Sequence, residues 1–132
     1  MIKGIVHTPL KKITTLNGDV WHCLKSSEPS FKGFGEAYFS FVALGSEKPW
    51  RLHKEMTSNL IVNLGEIHFT LEDGRVSSPT YGEVDVFVLS EKNYGRLTIP
   101  PGIWVKFKGL LKANSLLNLA SIPHDPTESI QR

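Results

Sequence analysis

Apolar residues gather along this chain in seven short runs, 36–44, 59–64, 66–73, 84–90, 96–100, 103–110 and 115–121, each rich in β-branched or aromatic side chains. Gly, Pro, Asn, Asp or Ser bounds every run, and segments of that length and makeup predict β-strands. The breakers include Asn17-Gly18-Asp19, Gly45-Ser46, Asp73-Gly74, Asn93-Tyr94-Gly95 and Pro100-Pro101-Gly102. Such regular punctuation favours antiparallel hairpins in a sandwich or closed barrel over βαβ crossovers. Helix is confined to two short turns, one in the opening segment and one after Pro126, where Thr127-Glu128-Ser129 begins a polar C-terminal stretch. No repeat, low-complexity tract or linker interrupts the pattern, so residues 1–132 are expected to fold as one all-β domain.

Composition removes several function classes. At 40% hydrophobic and 21% charged residues, the chain matches neither a disordered nor a fibrous protein. Its 15 basic and 13 acidic residues are scattered, and a net charge of +2 gives no concentrated field to attract a phosphate backbone, so no nucleic acid partner is expected. Cys23 has no second cysteine to pair with and no partner at metal-ligand spacing, and is read as a small buried apolar residue. The opening MIKGIVHTPLKK lacks the apolar core of a signal peptide, and no apolar run approaches a membrane span. The expected compartment is the cytoplasm, with no membrane partner.

Two segments carry the chemistry. GSEKPWRLHKEMTSNLIVNLG, 45–65, and GRLTIPPGIWVKFKG, 95–109, resemble in order and separation the two motifs of the cupin superfamily, which implies a double-stranded β-helix or jelly-roll barrel. In metal-binding cupins the first motif supplies two histidines and a carboxylate, and the second supplies a histidine past a P-x-G turn, kept here as Pro100-Pro101-Gly102. Alternate strand residues point the same way, which is why ligands two apart enter a pocket together. Matched position by position, this chain offers Arg51, His53, Ser58 and Val105. One imidazole beside a permanently protonated guanidinium cannot hold Zn, Fe or Mn, so no metal and no other cofactor is expected.

Within the cupins the chain resembles the dTDP-4-dehydrorhamnose 3,5-epimerase family and its shorter relatives. The resemblance rests on Gly18-Asp19, GEAYFSF around Tyr38, WRLHK from Trp50 to Lys54, LIVNLGEIHFTLEDGR ending in Arg75, IPPGIW, and the closing NLASIPHDPTES. A second similarity, to the dTDP-sugar 3,4-ketoisomerases, lies around His53-Lys54. The implied chemistry is proton removal alpha to a 4-keto group. An imidazole of unperturbed pKa about 6.5 takes that proton near neutrality, and a cation or donor stabilises the enolate. The resemblance places His53 as the base. Strand alternation sends Arg51 to the same side, as a ligand for diphosphate or enolate oxygen, and turns Lys54 away. It also sets Asn118 where the epimerases have their acid tyrosine, and Asn cannot supply a proton. Tyr38 is then the replacement acid, with Trp50, Ser58 and Asn118 joining Arg51 as substrate-binding residues. The aspartate that orients the histidine in longer family members has no expected counterpart.

Ordinary readings stand beside these. His53 also fits a histidine hydrogen-bonded inside a barrel, and Arg51 a surface ion pair. His68 is expected to face outward on its strand, Trp21, Tyr81 and Tyr94 to be structural, and Trp50 and Trp104 to suit core or interface packing as well as stacking. Lys106 and Lys108 share one strand face, which a solvated surface explains. His7, His22 and His124 receive no role. Three functions remain open: a metal-free epimerase or ketoisomerase for a nucleotide-linked 4-keto-6-deoxy sugar in surface polysaccharide synthesis, a non-catalytic cupin binding such a sugar, and a metal-dependent enzyme. A homodimer is expected, because family cupins pair through an edge strand or an exchanged N-terminal strand that covers exposed ladder groups.

Overall fold

Twelve strands and no helix make up the chain in a computed structural model that describes all of residues 1–132. They are β1 (Val6–Pro9), β2 (Lys12–Ile13), β3 (Val20–Trp21), β4 (Glu36–Ala43), β5 (Glu47–His53), β6 (Ser58–Leu64), β7 (Glu66–Asp73), β8 (Val84–Ser90), β9 (Gly95–Ile99), β10 (Ile103–Gly109), β11 (Ala113–Ala120) and β12 (Ser129–Gln131). Two five-stranded sheets form, one in the order β1-β9-β6-β11-β4 and the other β12-β5-β10-β7-β8, with β2-β3 a separate ribbon. Neighbouring strands are antiparallel throughout, the jelly-roll arrangement of a cupin.

Period-two alternation closes the core. On β7 the residues Ile67, Phe69, Leu71 and Asp73 are wholly buried, while His68, Thr70 and Glu72 between them are half-buried on the outer face. Thirteen apolar side chains from both sheets join in one cluster that includes Val42, Leu60, Val62, Leu97, Ile103 and Leu116. Each such burial stabilises the fold by about 1.5–3 kcal/mol. Toward one end of the barrel the inward positions change character. β4 runs from Val42 to Ser40, Tyr38 and Glu36, β6 from Val62 and Leu60 to Ser58, and β11 from Leu116 to Asn118. The faces that pack against each other at one end therefore leave a polar-walled cavity at the other.

The seven expected runs coincide with β4 and β6 to β11 to within two residues. Five strands were not expected. β5, with the sequence EKPWRLH, mixes Pro and charge, yet pairs with β10 on one side and β12 on the other, so tertiary pairing overrides its weak propensity. Neither expected helical turn forms. After Pro126 the chain makes a reverse turn, with the Glu128 N–H donating to the Asp125 carbonyl at 3.1 Å and the Thr127 N–H to Asp125 Oδ1 at 2.9 Å, and then enters β12. Pairing of Ser129 with His53 claims the segment as a strand.

The Pro100-Pro101-Gly102 turn depends on its glycine. Gly102 has φ +88°, and a Cβ there would lie 2.5 Å from Arg75 Cγ. Its N–H donates to the His53 carbonyl at 2.8 Å, which ties the turn to the end of β5. Cys23 is half-buried rather than enclosed in an apolar core, with its sulfur 3.6 Å from the Tyr94 hydroxyl. Tyr94 is buried and donates to the His22 carbonyl at 2.9 Å. No helix is long and apolar enough to cross a membrane.

Candidate functional site

A cavity of about 230 Å³ lies between the two sheets. Glu36, Tyr38 and Ser40 on β4, Ser58 and Leu60 on β6, and Leu116 and Asn118 on β11 line one wall. Lys48, Arg51 and His53 on β5 with Val105 and Phe107 on β10 line the other, and His124 joins from the segment before β12. Of the six residues singled out from the sequence, Tyr38, Arg51, His53, Ser58 and Asn118 border this cavity. Trp50 does not. Alternation puts it on the outer face of β5, where the Lys106 ammonium lies 5.0 Å and the Arg132 guanidinium 4.5 Å from its ring. Arg132 also stacks on Trp104 at 4.7 Å and pairs with Glu72 at 2.7 Å, so Trp50 belongs to a surface cation–π stack.

His53 has the orienting carboxylate that the sequence did not reveal. Glu128, 5% exposed, places Oε1 2.5 Å from His53 Nδ1. Its Oε2 accepts from the N–H groups of Glu55 at 3.1 Å and Met56 at 3.0 Å. Burial pushes the Glu128 carboxyl up, but His53 and the two backbone donors outweigh it and hold the group below the usual range. An ionised carboxylate at Nδ1 accepts a hydrogen bond from the Nδ1–H, which leaves the Nε2 lone pair free for chemistry. The pairing arises because β12 adds to the edge of β5, with Ser129 opposite His53 and Glu128 just before it.

On the facing wall Tyr38 and Asn118 sit opposite each other in the β4–β11 register. The Asn118 amide donates from Nδ2 to the Tyr38 phenol oxygen at 2.9 Å. That contact uses an oxygen lone pair and leaves the phenol proton free. Two cations stand on the β5 wall. Arg51 donates to Ser129 Oγ at 3.4 Å, and Lys48 joins it through a β-bulge. Val105 pairs with Arg51 and Phe107 with Lys48, so β5 spends one residue more than β10 over that interval and both cations face inward. The sequence signal for this was Pro49, a residue that strand interiors admit at bulges. Lys48, Glu128 and His124 were all missed as site residues.

Arg51, His53, Ser58 and Val105, the four positions matching cupin metal ligands, all border the cavity. Nowhere do three or more His, Cys, Asp or Glu side chains converge. That donor set does not fit a transition metal.

No family profile matches the chain. In structure it is similar to a dTDP sugar isomerase from Desulfovibrio desulfuricans, with TM-score 0.95 and 36% identity over 99% of this chain and 85% of that one. The dTDP-6-deoxy-D-glucose-3,5-epimerase of Legionella pneumophila, solved with dTDP-4-keto-L-rhamnose, shares the fold at TM-score 0.89 and 18% identity, over 99% of this chain and 73% of that one. In sequence, 82 residues are 34% identical to a probable low-salt glycan biosynthesis epimerase of Haloferax volcanii. That match covers 61% of this chain and 53% of the archaeal protein, about half its length.

Proposed function

This chain belongs to the cupin family of dTDP-sugar isomerases and dTDP-4-dehydrorhamnose 3,5-epimerases, and on that premise we propose that it is a metal-free epimerase or ketoisomerase of a nucleotide-linked 4-keto-6-deoxy sugar in polysaccharide synthesis. The observation that supports this most is a carboxylate-backed imidazole on one cavity wall facing a phenol on the other. His53 Nε2 takes the proton from the carbon next to the ketone. The C–H electron pair forms the C=C bond, and the carbonyl pair moves onto oxygen. Arg51 and Lys48 supply positive charge to the cavity for that enolate or for the diphosphate. Tyr38 delivers its proton to the opposite face of the same carbon, which re-forms the ketone with inverted configuration. Exchange of protons with water then restores neutral His53 and protonated Tyr38. A keto shift uses the same first step and differs in where the proton returns.

The same reading makes the chain a homodimer through edge strand β4, whose outer face leaves Phe39 57% and Phe41 70% exposed. Sedimentation velocity tests it, with a monomer at micromolar concentration as the opposing result. The activity is tested by proton NMR of dTDP-4-keto-6-deoxyglucose in D2O with wild type and His53→Asn. Loss of the C3 or C5 proton signal with wild type, and its retention with the variant, is the expected result. Binding without exchange at either carbon would instead indicate a non-catalytic sugar-binding cupin.

A further inference from the structure

Three buried side-chain polar atoms have no hydrogen-bond partner, His7 Nε2, Arg96 Nε and Asn118 Oδ1, and of these residues only Asn118 borders the cavity. Asn118 is 3% exposed. Its donor end is committed to Tyr38 at 2.9 Å, and its acceptor end meets nothing. A buried acceptor left without a partner is destabilising. The arrangement is therefore a prepared place for a group that arrives with a ligand.

We propose that Asn118 Oδ1 accepts a hydrogen bond from a ring hydroxyl of the bound sugar, and so makes Asn118 the residue that selects for that hydroxyl while holding the Tyr38 phenol. This role rests on the nucleotide-sugar reading of the cavity. The chemistry singles out a hydroxyl among the groups on such a sugar. A ketone oxygen has no proton to give, and a methyl group has neither donor nor acceptor. Turning the amide over would pair Oδ1 with the phenol and strand Nδ2 instead, and a hydroxyl satisfies that end too, since it both donates and accepts. In a 4-keto-6-deoxy hexose the free ring hydroxyls are those on C2 and C3, so one of these two is the group read.

The test is binding, measured by calorimetry with dTDP-6-deoxyglucose, which has no ketone to turn over, and with its 2-deoxy and 3-deoxy analogues. Wild type should bind one of the two analogues about tenfold more weakly than the parent. Asn118→Asp, which keeps an acceptor, should retain that discrimination. Asn118→Leu should lose it and bind parent and analogue alike, a difference that mere structural support would not produce. Equal binding of all three ligands by wild type, or discrimination that survives in Asn118→Leu, overturns the role of Asn118 and leaves the nucleotide-sugar reading intact. Failure of wild type to bind the parent at all overturns both.

Discussion

Replacing Glu128 by Gln keeps its shape and removes its charge, and the surrounding donors dictate how the new side chain must sit. Two backbone N–H groups, from Glu55 and Met56, point at Oε2. The amide oxygen of Gln must take that place, which turns the NH2 group toward His53 Nδ1, where Oε1 now lies at 2.5 Å. A donor facing Nδ1 demands a lone pair there and drives the imidazole proton to Nε2, the nitrogen proposed above to accept the substrate proton. Loss of general-base function costs about 10²–10⁴ in rate, or about 2.7–5.5 kcal/mol of barrier. Solvent exchange of the substrate C–H in D2O measures it, and ¹⁵N NMR of His53 reports the change of tautomer directly. Stability should fall by only about 1–3 kcal/mol, from weakened hydrogen bonds to a group no longer charged. The pH dependence has a definite sign. The folded-state Glu128 carboxyl is held below its usual range, so its contribution is full above the unfolded value of about 4.3 and is lost as pH falls through the folded one. The melting-temperature gap between wild type and Glu128→Gln should therefore narrow in acid. Wild-type exchange rates in the variant, with the His53 tautomer switched, would refute His53 Nε2 as the base.

Tyr38→Phe should keep C–H exchange within about threefold of wild type and slow formation of the epimer about 10²-fold, since only reprotonation from the opposite face is lost. An equal fall in both rates, followed side by side by NMR, would remove Tyr38 from that step. Asp73→Asn should destabilise the fold by about 3–5 kcal/mol in urea, because it breaks a buried ion pair. Asp73 is wholly buried and accepts from Arg75 at 2.9 Å, Ser78 at 2.7 Å and Thr80 at 2.7 Å. Arg75 foremost holds that carboxyl well below the usual range against the effect of burial, and Thr80 and Ser78 assist, so its contribution too is present at neutral pH and fades in acid; a gap that stays constant from pH 7 to pH 2 would contradict this. Dialysis against a chelator should leave exchange activity unchanged, and activity lost on chelation and restored by zinc, iron or manganese would overturn the metal-free reading.

What the sequence determined is what period-two patterning and local turn chemistry can express. Each run from β6 to β10 has its own apolar makeup and its own bounding breakers, so the strands and the P-P-G turn were legible without neighbours. The WRLHK segment showed Arg51 and His53 to be two apart and hence on one side of a strand. Strand partners are a different kind of information, because register depends on residues far away in the chain. Glu128 meets His53 across 75 positions, and Asn118 meets Tyr38 across 80. Nothing local to either pair announces it. Lys48 borders the cavity where β5 bulges against β10 in their pairing, and Trp50, next to Arg51, falls on the opposite face. Local pattern placed the strands and set His53 beside Arg51 on one strand face, while long-range pairing decided which carboxylate meets that imidazole and which amide meets the Tyr38 phenol.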